Sequence, residues 1–118
     1  MFNRRLCAVM LMLALSACAS DPAPTEQLRL SDQALSQVKA LGADTERFTS
    51  LKLAEEKQAQ AQAAMQAGDF KQARILSEQA ELDARLAQGQ FLTQQSQDQL
   101  DALAVRIDRL RKQLGSLP

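Results

Sequence analysis

From Thr25 to Leu114 the chain holds no proline and only three glycines, Gly42, Gly68 and Gly89. A chain so poor in the residues that break and turn a backbone can reverse direction only a few times. An all-β domain of this length needs a turn signal roughly every 8–12 residues, and that supply is missing. Ala, Gln, Leu, Glu, Lys and Arg dominate the same stretch. All are good helix formers, and their enrichment points to long helices or coiled coil. The expected class is therefore all-α. Trp, Tyr and His are absent, and Phe2 is one of only four Phe. A core built from Ala, Leu and three Phe implies thin helices that approach closely.

Hydrophobic spacing divides the stretch. Thr25 suits an N-cap, with Glu26 in the first turn, and Leu28, Leu35, Val38 and Leu41 follow at helical spacing. The segment GADTERFTS, residues 42–50, reads as a break or kink rather than a long loop. Gly42 fits the residue just past a helix end, and Thr45, Thr49 and Ser50 are candidate caps. A second helix runs from about Ser50 to Ala67 with Leu51, Ala54, Ala61 and Met65 on one face. The segment QAGDFKQA then pairs a left-handed glycine, Gly68, with an N-cap, Asp69. Gln72 stands where a capping box would place it. A third helix starts at Phe70 and meets no strong stop before Gly115. Ala73, Leu76, Ala80, Ala84, Ala87 and Phe91 form its first stripe. Leu100, Leu103, Ile107, Leu110 and Leu114 form a second, separated from the first by the apolar-free TQQSQDQ of residues 93–99.

Folding the chain back at Gly68–Asp69 brings Ala54 to Asp83 and Ala84, Leu35 to Leu103, and Leu28 to Arg109 and Leu110. The polar gap then falls beside the Gly42 break. The favoured arrangement is one long antiparallel helical hairpin, its turn at Gly68–Asp69 and its first arm kinked. In the alternative, a small three-helix bundle, the first helix folds back on the second and residues 100–114 project alone.

The N-terminus carries an address. Arg4 and Arg5 precede an apolar run from Leu6 to Leu15, which reads as a secretory signal over residues 1–17. The run is well short of the roughly 20 residues that span a bilayer. Leu15-Ser16-Ala17-Cys18 resembles the bacterial lipobox. That resemblance implies cleavage before Cys18 and lipidation of its thiol, and several acyl chains together hold a protein to a membrane stably. Residues 18–25 then form a lipidated tether, and residues 26–115 the helical domain. Ala19 and Ser20, with no Asp after the cysteine, favour the outer membrane, so the domain is expected to face the periplasm. With Cys7 removed and Cys18 blocked, no thiol is left for a disulfide, a metal or catalysis. Removing Arg4 and Arg5 leaves 12 basic against 14 acidic residues, a balance that disfavours nucleic-acid binding.

Residues 51–88 resemble domain-of-unknown-function family 4398, a set of small bacterial envelope lipoproteins. The shared elements are Lys57, Gly68-Asp69-Phe70, Ala73-Arg74, Leu76 and Asp83-Ala84-Arg85-Leu86-Ala87. A proline usual near the start of the second helix is replaced by Ser50. The resemblance implies an envelope location and a helical fold, and it brings no activity with it.

Candidate chemistry is thin. Glu81 with Arg85 and Asp108 with Lys112 sit four residues apart, acid before base, the favourable order on a helix surface. Asp83 falls near the Ala stripe and invites an ion pair with Arg74 or Lys57. No metal-ligand spacing and no phosphate loop exists, so neither cofactor nor metal is expected, and the chain reads as no enzyme. The stripe Leu100, Leu103, Ile107, Leu110 and Leu114 packs either on residues 28–41 or on another chain as a coiled-coil seam. Arg106, Arg109, Arg111 and Lys112 suit a helix C-terminus, a lipid headgroup or peptidoglycan carboxylates. The C-terminal GSLP lacks the lysine that covalent linkage to peptidoglycan would use. The expected role is a non-enzymatic outer-membrane lipoprotein acting as a helical spacer or adaptor. Its partners would be the membrane, an envelope protein or a second copy. The alternative is a periplasmic module holding a peptide or lipid, or acting as a chaperone, through the Ala-lined groove of the hairpin.

Overall fold

A computed structural model describes residues 21–116. Helix α1 spans Thr25–Ala40, α2 spans Thr49–Gln66 and α3 spans Phe70–Gly115, with no strand among the described residues. Helix α3 has 46 residues, about 70 Å at 1.5 Å per residue.

Both helix reversals are built the same way. Gly42 has φ +93° and Gly68 has φ +78°, a region other residues reach only with strain. At the end of α1, Gly42 N–H donates to the Lys39 carbonyl and Ala43 N–H to the Val38 carbonyl. At the end of α2, Gly68 N–H donates to Met65 and Asp69 N–H to Ala64. Each pair satisfies two carbonyls that a helix end leaves unpaired, in the pattern of a Schellman motif. Asp69 also accepts from the Gln72 amide at 3.1 Å and so caps α3. The reciprocal half of a capping box has no donor left to use, because the Asp69 N–H already serves Ala64.

The other expected caps are not made. Pro24 occupies the N-cap of α1 in place of Thr25, and Phe48 that of α2, neither with a side-chain cap. Ser50 instead turns its hydroxyl to Gln90 of α3, 2.6 Å away. Within the α1–α2 connection it is Asp44 that accepts from a backbone amide, that of Arg47, at 2.8 Å.

The antiparallel hairpin of α2 and α3 forms at Gly68–Asp69, as its turn chemistry dictates. Lys57 meets Asp83 and Ser50 meets Gln90 across it. The position of α1 is the finding that differs from the favoured arrangement. The chain does not kink at Gly42 and run on. It reverses, and α1 lies back along α2 and the first half of α3. Lys39 pairs with Glu55 at 2.6 Å, Ser31 bonds Gln58, and Arg74 reaches the Pro22 carbonyl. The pairing of Leu35 with Leu103 and of Leu28 with Leu110 is therefore absent. The left-handed Gly42 permits the reversal. Ala43 and Phe48, both buried, anchor the short connection to the bundle.

Small residues let three helices meet. Ala54 and Ala61 of α2, and Ala73, Ala80, Ala84 and Ala87 of α3, have no exposed surface. Leu35 and Val38 of α1 and Leu51 of α2 pack in one cluster with Ala54, Ala84 and Ala87. Phe48 and Phe91 close one end edge-on, centroids 5.9 Å apart at 64°. That geometry adds about 0.5–1.5 kcal/mol beyond burial.

Candidate interaction surface

The last core residues of α3 are Ala87 and, partly buried, Phe91. The helix continues from Leu92 to Gly115, about 36 Å further. Local bonds hold it helical. Thr93 and Ser96 hydroxyls donate to the carbonyls four residues back, the Gln94 amide donates to Asp98, and Lys112 pairs with Asp108 at 2.8 Å. Every residue from Leu92 to Ser116 is exposed.

The sequence-derived stripe lies on this arm. Leu100 is 65% exposed, Leu103 54%, Ile107 42%, Leu110 50% and Leu114 68%. These residues share one helix face but touch no part of α1, so packing on residues 28–41 is not what they do. Scattered exposed leucines are ordinary on a surface. Five in regular succession on one solvent-facing helix are not, because a lone helix in water gains nothing from them. Arg106, Arg109 and Arg111 are exposed beside the stripe.

The bundle offers little room for chemistry. Its buried Ser31, Ser50, Gln58 and Ser77 are hydrogen-bonded, while the buried Arg74 Nε has no partner among the described residues. The Ser31 hydroxyl lies 2.6 Å from Gln58 Oε1, and Gln58 Nε2 donates to the Leu28 carbonyl at 3.3 Å. Ser77 donates to the Arg74 carbonyl at 2.9 Å. Spacing pointed to Leu76 on the core face, but Ser77 takes that place and Leu76 sits at its edge. Gln58 was legible only as a member of the 3–4 rhythm of Leu51, Ala54 and Ala61, and Ser31 only as a member of that of Leu28, Leu35 and Val38, not by their chemistry. Asp83 takes Lys57 at 2.6 Å, both partly exposed, while Arg74 turns to Pro22 and, at 3.9 Å, to Asp21. Glu81 pairs with Arg85 along the helix. The Arg29 guanidinium holds the Glu26 carboxyl below its ordinary value through two hydrogen bonds, and the Arg29 value rises in turn. Both groups sit in water.

The Ala-lined groove of the hairpin is filled by α1, whose Ser31 and Val38 are fully buried against it. Among the described residues no group of three or more His, Cys, Asp or Glu is placed to hold a metal. No described helix is long and apolar enough to cross a membrane. Cys18, the expected lipidation site, and the leader lie outside the described residues.

The family model described as Domain of unknown function (DUF4398) matches residues 26–103. The chain is also similar to a crystallised DUF4398 family protein from Pseudomonas aeruginosa PAO1, with 58% sequence identity and a TM-score of 0.76. The match covers 80% of this chain and 97% of that one. No curated protein matches the chain.

Proposed function

This chain belongs to the DUF4398 family, and we propose that it serves as a non-enzymatic, lipid-anchored helical adaptor at the bacterial outer membrane. Cys18 tethers it, the three-helix bundle acts as a rigid base, and the distal half of α3 is the docking arm. The observation that carries this reading is the arm itself. A helix extends about 36 Å past its own core and presents five large apolar residues on one face with none of the described residues covering them. The position of the bundle at the lipid end gives the arm reach into the periplasm. The lipobox sequence at Cys18 supplies the anchor. The interior offers little to a catalytic role, since Ser31 and Gln58 bond each other and Glu55 and Asp83 pair with Lys39 and Lys57.

Two tests separate the parts of this proposal. In Cys18→Ala, the leader is retained and the chain no longer fractionates with outer membranes; unchanged processing and fractionation would refute the anchor. A photo-crosslinking residue at Leu103 captures a protein partner in cells, while the same group at exposed Lys71 in the bundle does not. Capture at neither position, with a purified monomer carrying a bound small molecule, would point to a binding module instead.

A further inference from the structure

The exposed apolar positions of the bundle and of the arm share one frame. Counting alternately three and four residues along α3, Ile75, Leu82 and Leu86 fall in step with Leu100 and every later stripe residue to Leu114. Gly89, Thr93 and Ser96 occupy the steps between, and Gln79 is the one large polar member. All these positions are exposed, on the side of α3 turned away from Ala73, Ala80 and Ala87. A 3–4 rhythm held over about five heptads is the seam of a coiled coil. Its middle is a notch. A Cβ built on Gly89 meets nothing within 4 Å, and an open groove runs past Leu86, Gly89 and Thr93, walled on one side by Phe48, Thr49 and Ser50.

We propose that a second copy of this chain, running antiparallel, occupies this seam, with the two-fold axis at Asp98. The inference names the partner of the surface on which the adaptor reading rests. In this register Leu82 meets the partner's Leu114 and Leu86 meets the partner's Leu110. Gly89 then receives the partner's Ile107, Thr93 the partner's Leu103, and Ser96 the partner's Leu100. Large faces large at the two ends, and large faces small in the middle, where the groove lies. The seven large residues from Leu82 to Leu114 are covered in both chains, and each arm is laid along the other chain's bundle.

Charge selects this orientation. In a parallel pair, Glu78 flanks the seam opposite the partner's Asp83, and Arg106 opposite the partner's Arg111, each contact made twice and each repulsive. In the antiparallel register Asp83 faces the partner's Arg111, and Gln97 and Gln99 face their own copies. Sliding one heptad deeper sets Arg85 against the partner's Arg106, and sliding one heptad out carries Leu82 and Leu86 beyond the end of the partner's α3. A lipid surface fits less well. It would use the arm's leucines and its basic cluster, but not the Gly, Thr and Ser in the middle of the same stripe.

The test uses the full chain in mild detergent with Cys7 and Cys18 replaced by Ser. Sedimentation equilibrium should give a dimer. On oxidation Gln97→Cys should cross-link and Leu103→Cys should not. Gly89→Arg should weaken association by about tenfold or more with helical content unchanged, because a Cβ at this position meets nothing within 4 Å in its own chain while the added side chain fills the notch the partner's Ile107 would enter. A chain monomeric at hundreds of micromolar, cross-linking through Leu103→Cys alone, or a dimer indifferent to Gly89→Arg would each overturn the proposal. A monomer whose arm still captures another protein in cells would defeat self-pairing and leave the adaptor reading standing. A monomer with no capture would defeat both.

Discussion

Helix α3 is one continuous helix in two environments. Its first half presents Ala73, Ser77, Ala80, Ala84 and Ala87 to two other helices, and all five are sealed. Its second half presents leucines at the same 3–4 rhythm to water. The small residues sit where packing is tight, and the large ones where nothing packs. Periodicity marks a face, and residue size says how near a neighbour can come. A close three-helix bundle requires alanine on the crowded helix. An arm with a large apolar residue at every step from Leu100 to Leu114 lacks a neighbour among the described residues of its own chain.

Substitutions can break or sharpen this contrast. The largest effect is expected for Leu51→Ala in the bundle, which opens a cavity among fully buried neighbours and costs about 2–5 kcal/mol in urea denaturation. The matching change Leu110→Ala, read on dilute monomer, costs less than about 0.5 kcal/mol. Ala84→Leu overfills the contact between α3 and the other helices, at about 1–3 kcal/mol. Its counterpart Ala104→Leu on the arm leaves stability near that of the parent. Gln58→Ala strips the Ser31 hydroxyl of its partner on α2 and leaves a polar gap between α1 and α2. A loss of about 1–2 kcal/mol is expected, and equal losses in Ser31→Ala and the double variant would show the two acting as one unit. Asp69→Ala removes the cap of α3 for about 1 kcal/mol.

The smallest effect concerns Glu26. Its carboxyl is held below the ordinary 4.5 in the folded chain. Its contribution is therefore present above the unfolded value and lost as the pH falls through the folded one. Glu26→Gln should leave stability almost unchanged at neutral pH and remove a shallow part of the acid limb. Urea midpoints at neutral and acid pH would read this out. An acid limb as steep as the parent's would assign that slope to other carboxylates.

Much of the fold was legible in sequence because a few residues act locally. Gly68 and Asp69 fix a turn through backbone bonds that involve no distant partner, so the hairpin and the start of α3 could be placed to the residue. The turn alone left Asp83 two candidate partners, Arg74 and Lys57, and the assembled bundle chooses Lys57. The course of α1 was not legible in the same way. Gly42 announces a left-handed residue, but a kink and a reversal begin with the same φ. The choice between them rests on Phe48 and Ala43 burying in the bundle, and that depends on Phe91, more than forty residues away. The caps failed for a related reason. Ser50 has a better partner in Gln90 than in its own backbone, and only the assembled bundle supplies it. The stripe on the arm was read from spacing alone, and spacing could not say that it would be left uncovered. Nor did the polar middle at 93–99 reveal that Thr93 and Ser96 keep the same step as the leucines on both sides.

The course of α1 decides whether the arm is uncovered at all, and one distance comparison tests it. Gln37 and Gln88 line the same groove between α1 and α3. Spin labels at these two positions in the full chain should lie close together by pulsed electron paramagnetic resonance. Labels at Gln37 and Gln99 should be clearly farther apart, since 11 more residues of helix add about 16 Å along the axis. The reverse order, with Gln37 nearer Gln99 than Gln88, would mean a single long hairpin whose arm is already covered by α1, and would contradict the fold and the docking surface together.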